Sequence, residues 1–451
     1  MNTYTSTCRR VKLDSPDTSF FRIFLICRVT LAAVLILTAL FPCAEAEAQN
    51  TRIISRIADA GGTPSTSPAG NLRLRSSISG GPARVVSSPW SSAMQGFIHR
   101  PVLADYDFQS GRGDWSFIPD ASIPEFPFTA PASDDTGGAL SLRATDFNTF
   151  GFFQGPFEIP ATPDTVMRFR FALEAYTDTP GLVPRIRLRA SLSDFQEGPS
   201  LDILSTGEGE ASPSRTPRYY DMFYTPSAIA AASGKRFQSA FDLVNLGAGD
   251  STAVTVRMPH HYADRFPRNS LGGIELVRDF QFSTGNEGWA PQYLGGVPSP
   301  FDQPDYAWNS AAGSLDITVN NPHNNFGFWE APPAGAGINV IPGKIYRATF
   351  YLTTTAADPR VLPKIRMRLF ADNYQTAADV TLDARGNAEI LPVPGAERTW
   401  EVWLIPSPAA QKIGLALDLI ALDPPDETRI ENGAVVRLTR CVVERMNIPR
   451  P

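Results

Sequence analysis

The chain has 451 residues, of which 43% are hydrophobic and 19% charged, with 40 Pro, 34 Gly and a formal net charge of −6. Low charge with abundant Pro and Gly points away from helical bundles and toward an all-β protein of two or three domains. The mildly acidic balance gives no electrostatic footprint for nucleic acid, which excludes that class of partner.

Near the N-terminus, Arg9, Arg10, Lys12, Arg22 and Arg28 precede the apolar run "LAAVLILTALF", which leads into Ala44-Glu45-Ala46 and Ala46-Glu47-Ala48. A basic region, a short apolar core and an A-x-A site predict a secretory signal peptide over residues 1–48. The run falls short of the ~20 residues a membrane span needs, so no span is expected in the mature chain. Cys8, Cys27 and Cys43 belong to this leader, and the mature chain keeps only Cys441. No intrachain disulfide is then available, and the domains must hold together by core burial. Cys441, in "VVRLTRCVVER", reads as a buried thiol of a last strand. Residues 49–97, with "GGTPSTSPAG" and "SSISGGPARVVSSPWSS", are too poor in apolar surface to offset their chain entropy and are expected to be a disordered spacer.

Residues 98–268 and 274–447 are two copies of one unit. The frame "DYDFQSGRGDW" of Asp105 to Trp115 returns as "DFQFSTGNEGW" of Asp279 to Trp289, with Asp, an aromatic, Phe, Gly and Trp at identical spacing. Then "GGALSL" answers "AGSLDI", "NTFGFF" answers "NNFGFW", and Val166 to Ala190 aligns without a gap on Ile345 to Leu369. Later "RYYDMFYTPS" answers "RTWEVWLIPS", and "VRMPHHYADRF" answers "VRLTRCVVERM". A period this long marks duplicated domains rather than a solenoid. The tripeptide Arg112-Gly113-Asp114 sits in a turn whose counterpart is Asn286-Glu287-Gly288; the frame works without it, and no adhesive role is expected.

Within each copy, short segments alternate with period two. "RIRLRA" sets Arg185, Arg187 and Arg189 against Ile186 and Leu188, and "KIRMRL" sets Lys364, Arg366 and Arg368 against Ile365 and Met367. Half-buried strands follow. Turns such as "PGLVP", "DPRVLP" and "NLGAGD" separate them, so each copy is expected to be an antiparallel β-sandwich, a jelly roll. The opening Asp, Phe, Gly and Trp, then G-x-L-x-(L/I), then an aromatic-rich strand resembles the first third of the galactose-binding-like jelly rolls that include many bacterial carbohydrate-binding modules. That resemblance implies a jelly-roll fold and a sugar ligand. The closing strands, "RMPHHYADRF" and "RLTRCVVERM", depart from the "IDDV" type of ending, which leaves a structural calcium site without support, and no other cofactor is expected.

Enzyme chemistry finds little to work with. The only histidines are His99, His260, His261 and His323, no Ser stands in a nucleophile elbow, and there is neither a P-loop nor a dinucleotide fingerprint. His260-His261 aligns with Arg440-Cys441, so the position does not require imidazole. Paired acids recur, Asp221 with Glu401 and Asp242 with Asp418, and a glycosidase needs such a pair at a defined separation. Two catalytic dyads in one chain are not expected, and the acids are read as neutralising the arginine stripes of Arg187 and Arg366 from neighbouring strands.

Sugar recognition stacks aromatic faces on sugar faces, flanked by planar polar groups. Aromatics present in both copies, such as Trp115 and Trp289, Phe152 and Phe328, Tyr220 and Trp400, or Phe223 and Trp403, read as core. Those peculiar to the second copy, Tyr293, Phe301, Tyr306 and Trp308, fall in the loop "APQYLGGVPSPFDQPDYAWNS", where binding residues gather. The cations of Arg366 and Arg368 add a candidate grip for an acidic polysaccharide. The sequence therefore predicts a non-catalytic exported protein, secreted or held at the envelope or in the periplasm. Its expected partner is a polysaccharide or envelope glycan, contacted through Tyr293, Tyr306, Trp308, Arg366 and Arg368. A structural or protein-interaction module of a cell surface is the alternative.

Overall fold

The computed structural model describes residues 102–119, 129–144, 148–177, 185–192, 197–203, 213–227, 231, 234–246, 254–292, 304–319, 326–332, 337–358, 362–372, 376–382, 391–420 and 433–447. The leader and spacer expected from the sequence lie outside them.

The first repeat contributes β1 (Val102–Tyr106), β2 (Ser116–Pro119), β3 (Ala132–Asp134), β4 (Leu140–Ala144), β5 (Asn148–Gln154), β6 (Ile159–Pro160), β7 (Thr165–Thr177), β8 (Arg185–Leu192), β9 (Glu197–Ile203), β10 (Arg218–Tyr224), β11 (Arg236–Leu246) and β12 (Val254–Pro267). The second contributes β13 (Glu275–Phe280), β14 (Ala290–Gln292), β15 (Asp305–Asn309), β16 (Ser314–Thr318), β17 (Phe326–Ala331), β18 (Ile338–Asn339), β19 (Lys344–Thr354), β20 (Lys364–Ala371), β21 (Thr376–Leu382), β22 (Arg398–Leu404), β23 (Lys412–Ile420) and β24 (Val435–Asn447). In the first sandwich one layer runs β10-β7-β12-β4-β3, with β1 beside β12, and the other runs β9-β8-β11-β5-β2. The second sandwich repeats this as β22-β19-β24-β16-β15, with β13 beside β24, facing β21-β20-β23-β17-β14. The chain crosses between layers at β7 to β8, β9 to β10, β10 to β11 and β11 to β12, the antiparallel alternation of a jelly roll.

Period-two patterning decides which side chains meet in the middle. From β8, Ile186, Leu188 and Leu192 point inward against Phe169, Phe171 and Leu173 of β7; from β20, Ile365, Met367 and Leu369 meet Ala348, Phe350 and Leu352 of β19, all buried. Trp115 and Trp289 close one end of each core. Trp115 packs edge-on against Tyr106 and Phe108 with ring centroids 5.6 Å apart in both cases, and Trp289 does the same to Phe280 and Phe282 at 5.7 and 5.9 Å. To make that corner, Phe108 and Phe282 adopt left-handed backbone, φ 49 and 54°, a conformation costing a side chain ~1–2 kcal/mol, which aromatic packing offsets. Gly113 and Glu287, at the same place in the two turns, share it too, φ 57 and 50°. The turn therefore sets the backbone at Gly113 whichever residue stands there.

The sequence left the orientation of the two repeats open. The structure joins them: β9 pairs antiparallel with β21, from Thr376 opposite Ile203 to Leu382 opposite Glu197. One layer of each sandwich is thus half of a single 12-stranded sheet. Edge strands expose unpaired N–H and C=O groups, and here each repeat's edge caps the other's. Where the remaining layers abut, Phe223, Val166 and Phe266 cluster with Trp403, Ile345 and Met446. Phe223 and Trp403 are buried as expected, yet in the seam between repeats rather than inside either sandwich.

Candidate functional site

The arginine stripes lie on the outer face of the joined sheet, opposite the core residues of β8 and β20. They do not form an open cationic surface. Arg187 donates through Nε to Asp202 Oδ1 at 2.7 Å, and Arg185 pairs with the same carboxylate. Arg189 contacts Asp242 at 2.7 Å, Arg366 Nε donates to Asp418 Oδ2 at 2.6 Å, and Arg368 Nε donates to Asp379 Oδ1 at 2.8 Å. Arg366 is 3% and Asp418 1% exposed. Burial alone would raise the Asp202 carboxyl, but Arg185 and Arg187 together hold it below the ordinary carboxylate value. Burial pushes Asp242 upward, and Arg189 offsets this only in part.

The expected grip on an acidic glycan by Arg366 and Arg368 is therefore taken up within the protein, since both guanidinium groups are spent on carboxylates. The expected neutralisation by Asp418 is what Arg366 receives. Arg187, however, is matched by Asp202, while Asp242 serves Arg189. Sequence reasoning passed over Asp202 and Asp379, which β9 and β21 set opposite Arg187 and Arg368 by folding back on β8 and β20 within each repeat. One acid near the end of β9 and one in the middle of β21, both weakly patterned strands, were the only signal.

Asp221 and Asp242 do not form a dyad. Asp221 stands on the outer face of β10, bonded bidentately to Arg170 at 2.6 and 2.7 Å, and Asp242 on the outer face of β11 in the opposite layer. Glu401 and Asp418 are separated in the same way, with Glu401 held by Arg347, Arg268 and Thr225. Among the described residues, the Glu330 carboxyl of β17 is poised near neutrality: burial, and then the negative charge of Asp418, raise it from 4.5 to about 7. Its counterpart in the first repeat is Gln154, which donates to Gln238 at 2.6 Å.

His260 Nε2 lies 2.6 Å from Asp105 Oδ1, as Arg440 binds Asp279 at 2.8 Å through two nitrogens. His261 is buried in the core, stacked on Phe171 at 4.4 Å, and burial lowers it to about 3. Cys441, in the same place, is buried as a thiol, with burial raising its pKa well above the ordinary value. Among the described residues no three His, Cys, Asp or Glu side chains are arranged to hold a metal ion.

Of the aromatic candidates, Tyr293 and Phe301 lie outside the described residues. Tyr306 and Trp308 belong to a strand, β15, rather than a loop, paired with β16 at the edge of its layer. Tyr306 turns toward the core and meets Trp329 edge-on at 5.6 Å. Trp308 is 40% exposed, and its indole N–H donates to Phe282 O at 2.8 Å, which fixes the ring in place. Trp308 and the Arg366–Arg368 pair are in different layers, so the structure does not bring the expected site residues together.

No family model and no curated protein matches the chain. The similar solved structures include the tandem CBM22-1-CBM22-2 domain of Xyn10C from Paenibacillus barcinonensis, 10% identical over 77% of this chain and 98% of that one, TM-score 0.24. They also include a Stig cyclase, Fisc, from Fischerella sp. TAU, 13% identical over 39% and 100%, TM-score 0.24. A third is the ANXUR2 extracellular domain from Arabidopsis thaliana, 12% identical over 75% and 92%, TM-score 0.23. The fold assignment rests on strand pairing within this chain, which is that of two antiparallel jelly-roll sandwiches joined edge to edge.

Proposed function

We propose that this is an exported, non-catalytic carbohydrate-binding protein acting at the cell envelope or extracellular matrix. The observation that carries the reading is Trp308, a half-open indole whose N–H is already bonded to Phe282 O at 2.8 Å. A ring fixed before binding loses little entropy when a sugar face stacks on it. Tyr306 lies two residues before it on the same strand, and Tyr293 precedes both in the sequence. With Arg366 and Arg368 spent on Asp418 and Asp379, a neutral glycan suits the protein better than an acidic one. The separation of the paired acids onto opposite layers supports a non-catalytic role, and the leader supports export.

The test is retention of the full chain on insoluble and soluble polysaccharides, with Trp308→Ala beside it. Retention that the substitution weakens about tenfold, the scale of one or two lost aromatic contacts, supports the reading. Absence of retention on every glycan would favour a structural or protein-interaction module, for which the joined sheet offers a rigid spacer.

A further inference from the structure

The outer face of the other layer of the first sandwich carries a second constellation. Register places Tyr219 of β10, Ala172 of β7 and His260 of β12 in one row, and Asp221, Arg170, Tyr262 and Asp105 of β1 in the next. Tyr219 is 60% exposed with the Arg170 guanidinium 5.5 Å from its ring centre, and the His260 and Tyr262 rings stack at 6.5 Å. The small Ala172 side chain lies between Tyr219 and His260 in register and is itself buried.

The second repeat shows that the fold does not need these aromatics. Thr399, Val442 and Arg440 stand where Tyr219, Tyr262 and His260 do. Tyr351 stands where Ala172 does, its ring lying 5.4 Å from the Arg440 guanidinium. The second repeat thus fills the middle of the face with one tyrosine, and the first leaves the middle small and raises aromatics on either side.

The polar groups of this face are matched to one another: Arg170 pairs with Asp221, Arg168 with Asp264 at 2.6 Å, and the His260 ring contacts Asp105. Among the described residues of this face, these charged groups are spent on one another rather than on a ligand. Tyr219 and Tyr262 sit two strands and one row apart, ~12 Å between backbones, a span that neighbouring sugars of one chain cover.

We propose that the outer face of β10, β7 and β12 is a second carbohydrate-contact surface, taking a neutral glycan laid across the strands with sugar rings against Tyr219 and Tyr262. This rests on the carbohydrate reading above and adds a second site, independent of Trp308, on the other repeat.

The experiment is affinity electrophoresis of the full chain through soluble xylan, mixed-linkage β-glucan and galactomannan, with polygalacturonate as the anionic comparison. Three variants run alongside: Tyr219→Ala with Tyr262→Ala, Ala172→Tyr, and Trp308→Ala. Ala172→Tyr copies the second repeat and blocks the middle of the face without removing an aromatic. The inference expects the tyrosine pair and Ala172→Tyr each to weaken retardation by a neutral glycan about tenfold, with circular dichroism unchanged. Retardation lost in Trp308→Ala alone overturns the second surface and leaves the carbohydrate reading standing. Wild-type retardation by polygalacturonate only overturns the neutral-glycan assignment, and no retardation by any polymer overturns both readings.

Discussion

Phe223 and Trp403, which hold the same place in the two repeats, meet each other across the seam with ring centroids 6.4 Å apart. A position that contacts its own equivalent marks an isologous interface, here folded into one chain. The ladder between β9 and β21 obeys the same symmetry, with Ser200 opposite its equivalent Asp379 at the centre. The duplicated chain is built as a two-fold dimer of its own halves.

Such a seam couples the repeats, so thermal unfolding is expected as one cooperative transition. Trp403→Ala removes a buried ring from the seam cluster and is expected to cost ~3–5 kcal/mol. Calorimetry should show the single transition moving down or splitting in two. An unchanged transition temperature would mean that the seam contributes nothing.

Arg366 and Asp418 form a buried pair in which Asp418 Oδ1 has no hydrogen-bond partner. Arg366→Met leaves that carboxylate uncompensated and is expected to destabilise by ~3–5 kcal/mol, whereas Arg366→Met with Asp418→Leu should recover most of the loss. Urea unfolding of the wild type, Arg366→Met, Asp418→Leu and the double variant, four proteins, forms a double-mutant cycle that checks it.

Two groups, the half-buried Glu330 and the buried His261, act in opposite directions with pH. Glu330 is raised from 4.5 to about 7; its stability contribution is present below about 4.5 and is lost as pH rises to about 7. His261 is lowered from 6.5 to about 3, so its contribution is present above 6.5 and is lost as pH falls toward 3. Between pH 4.5 and 6.5 the two slopes oppose each other. Glu330→Gln, which installs the residue type of the first repeat, should therefore uncover a stability that falls steadily with acidification. Urea midpoints measured from pH 4 to 8, roughly the span over which these groups titrate, would reveal it; an unchanged profile would remove Glu330 from the account.

Glu287 Oε1 accepts from the backbone N–H groups of Gln281 and Phe282 at 3.0 and 2.8 Å, bracing the turn from which Phe282 O receives Trp308. Glu287→Ala is expected to cost ~1–3 kcal/mol and to loosen the indole, lowering glycan retention along with stability. Tryptophan fluorescence anisotropy reports the second effect separately from the first.

The sequence alone determined the duplication, the strand pattern and the division between core and outer faces. Each is written in local periodicity: Ile186 and Leu188 alternate with Arg185, Arg187 and Arg189, and the frame from Asp105 to Trp115 returns from Asp279 to Trp289. Burial of the shared tryptophans also followed from comparing the copies. What tertiary structure decided is where the outer faces go. Arg366 and Arg368 read both as cations neutralised by acids of unnamed register and as a candidate grip for a glycan, because alternation says which side a residue takes, not what lies beside it. Strand pairing brings the acids into the stripe: β9 folds back on β8 and sets Asp202 opposite Arg187, and β21 folds back on β20 and sets Asp379 opposite Arg368. Trp308 likewise read as a loop residue until pairing with β16 made it part of a strand, and the Tyr219 and Tyr262 face exists only once β7 is laid between β10 and β12.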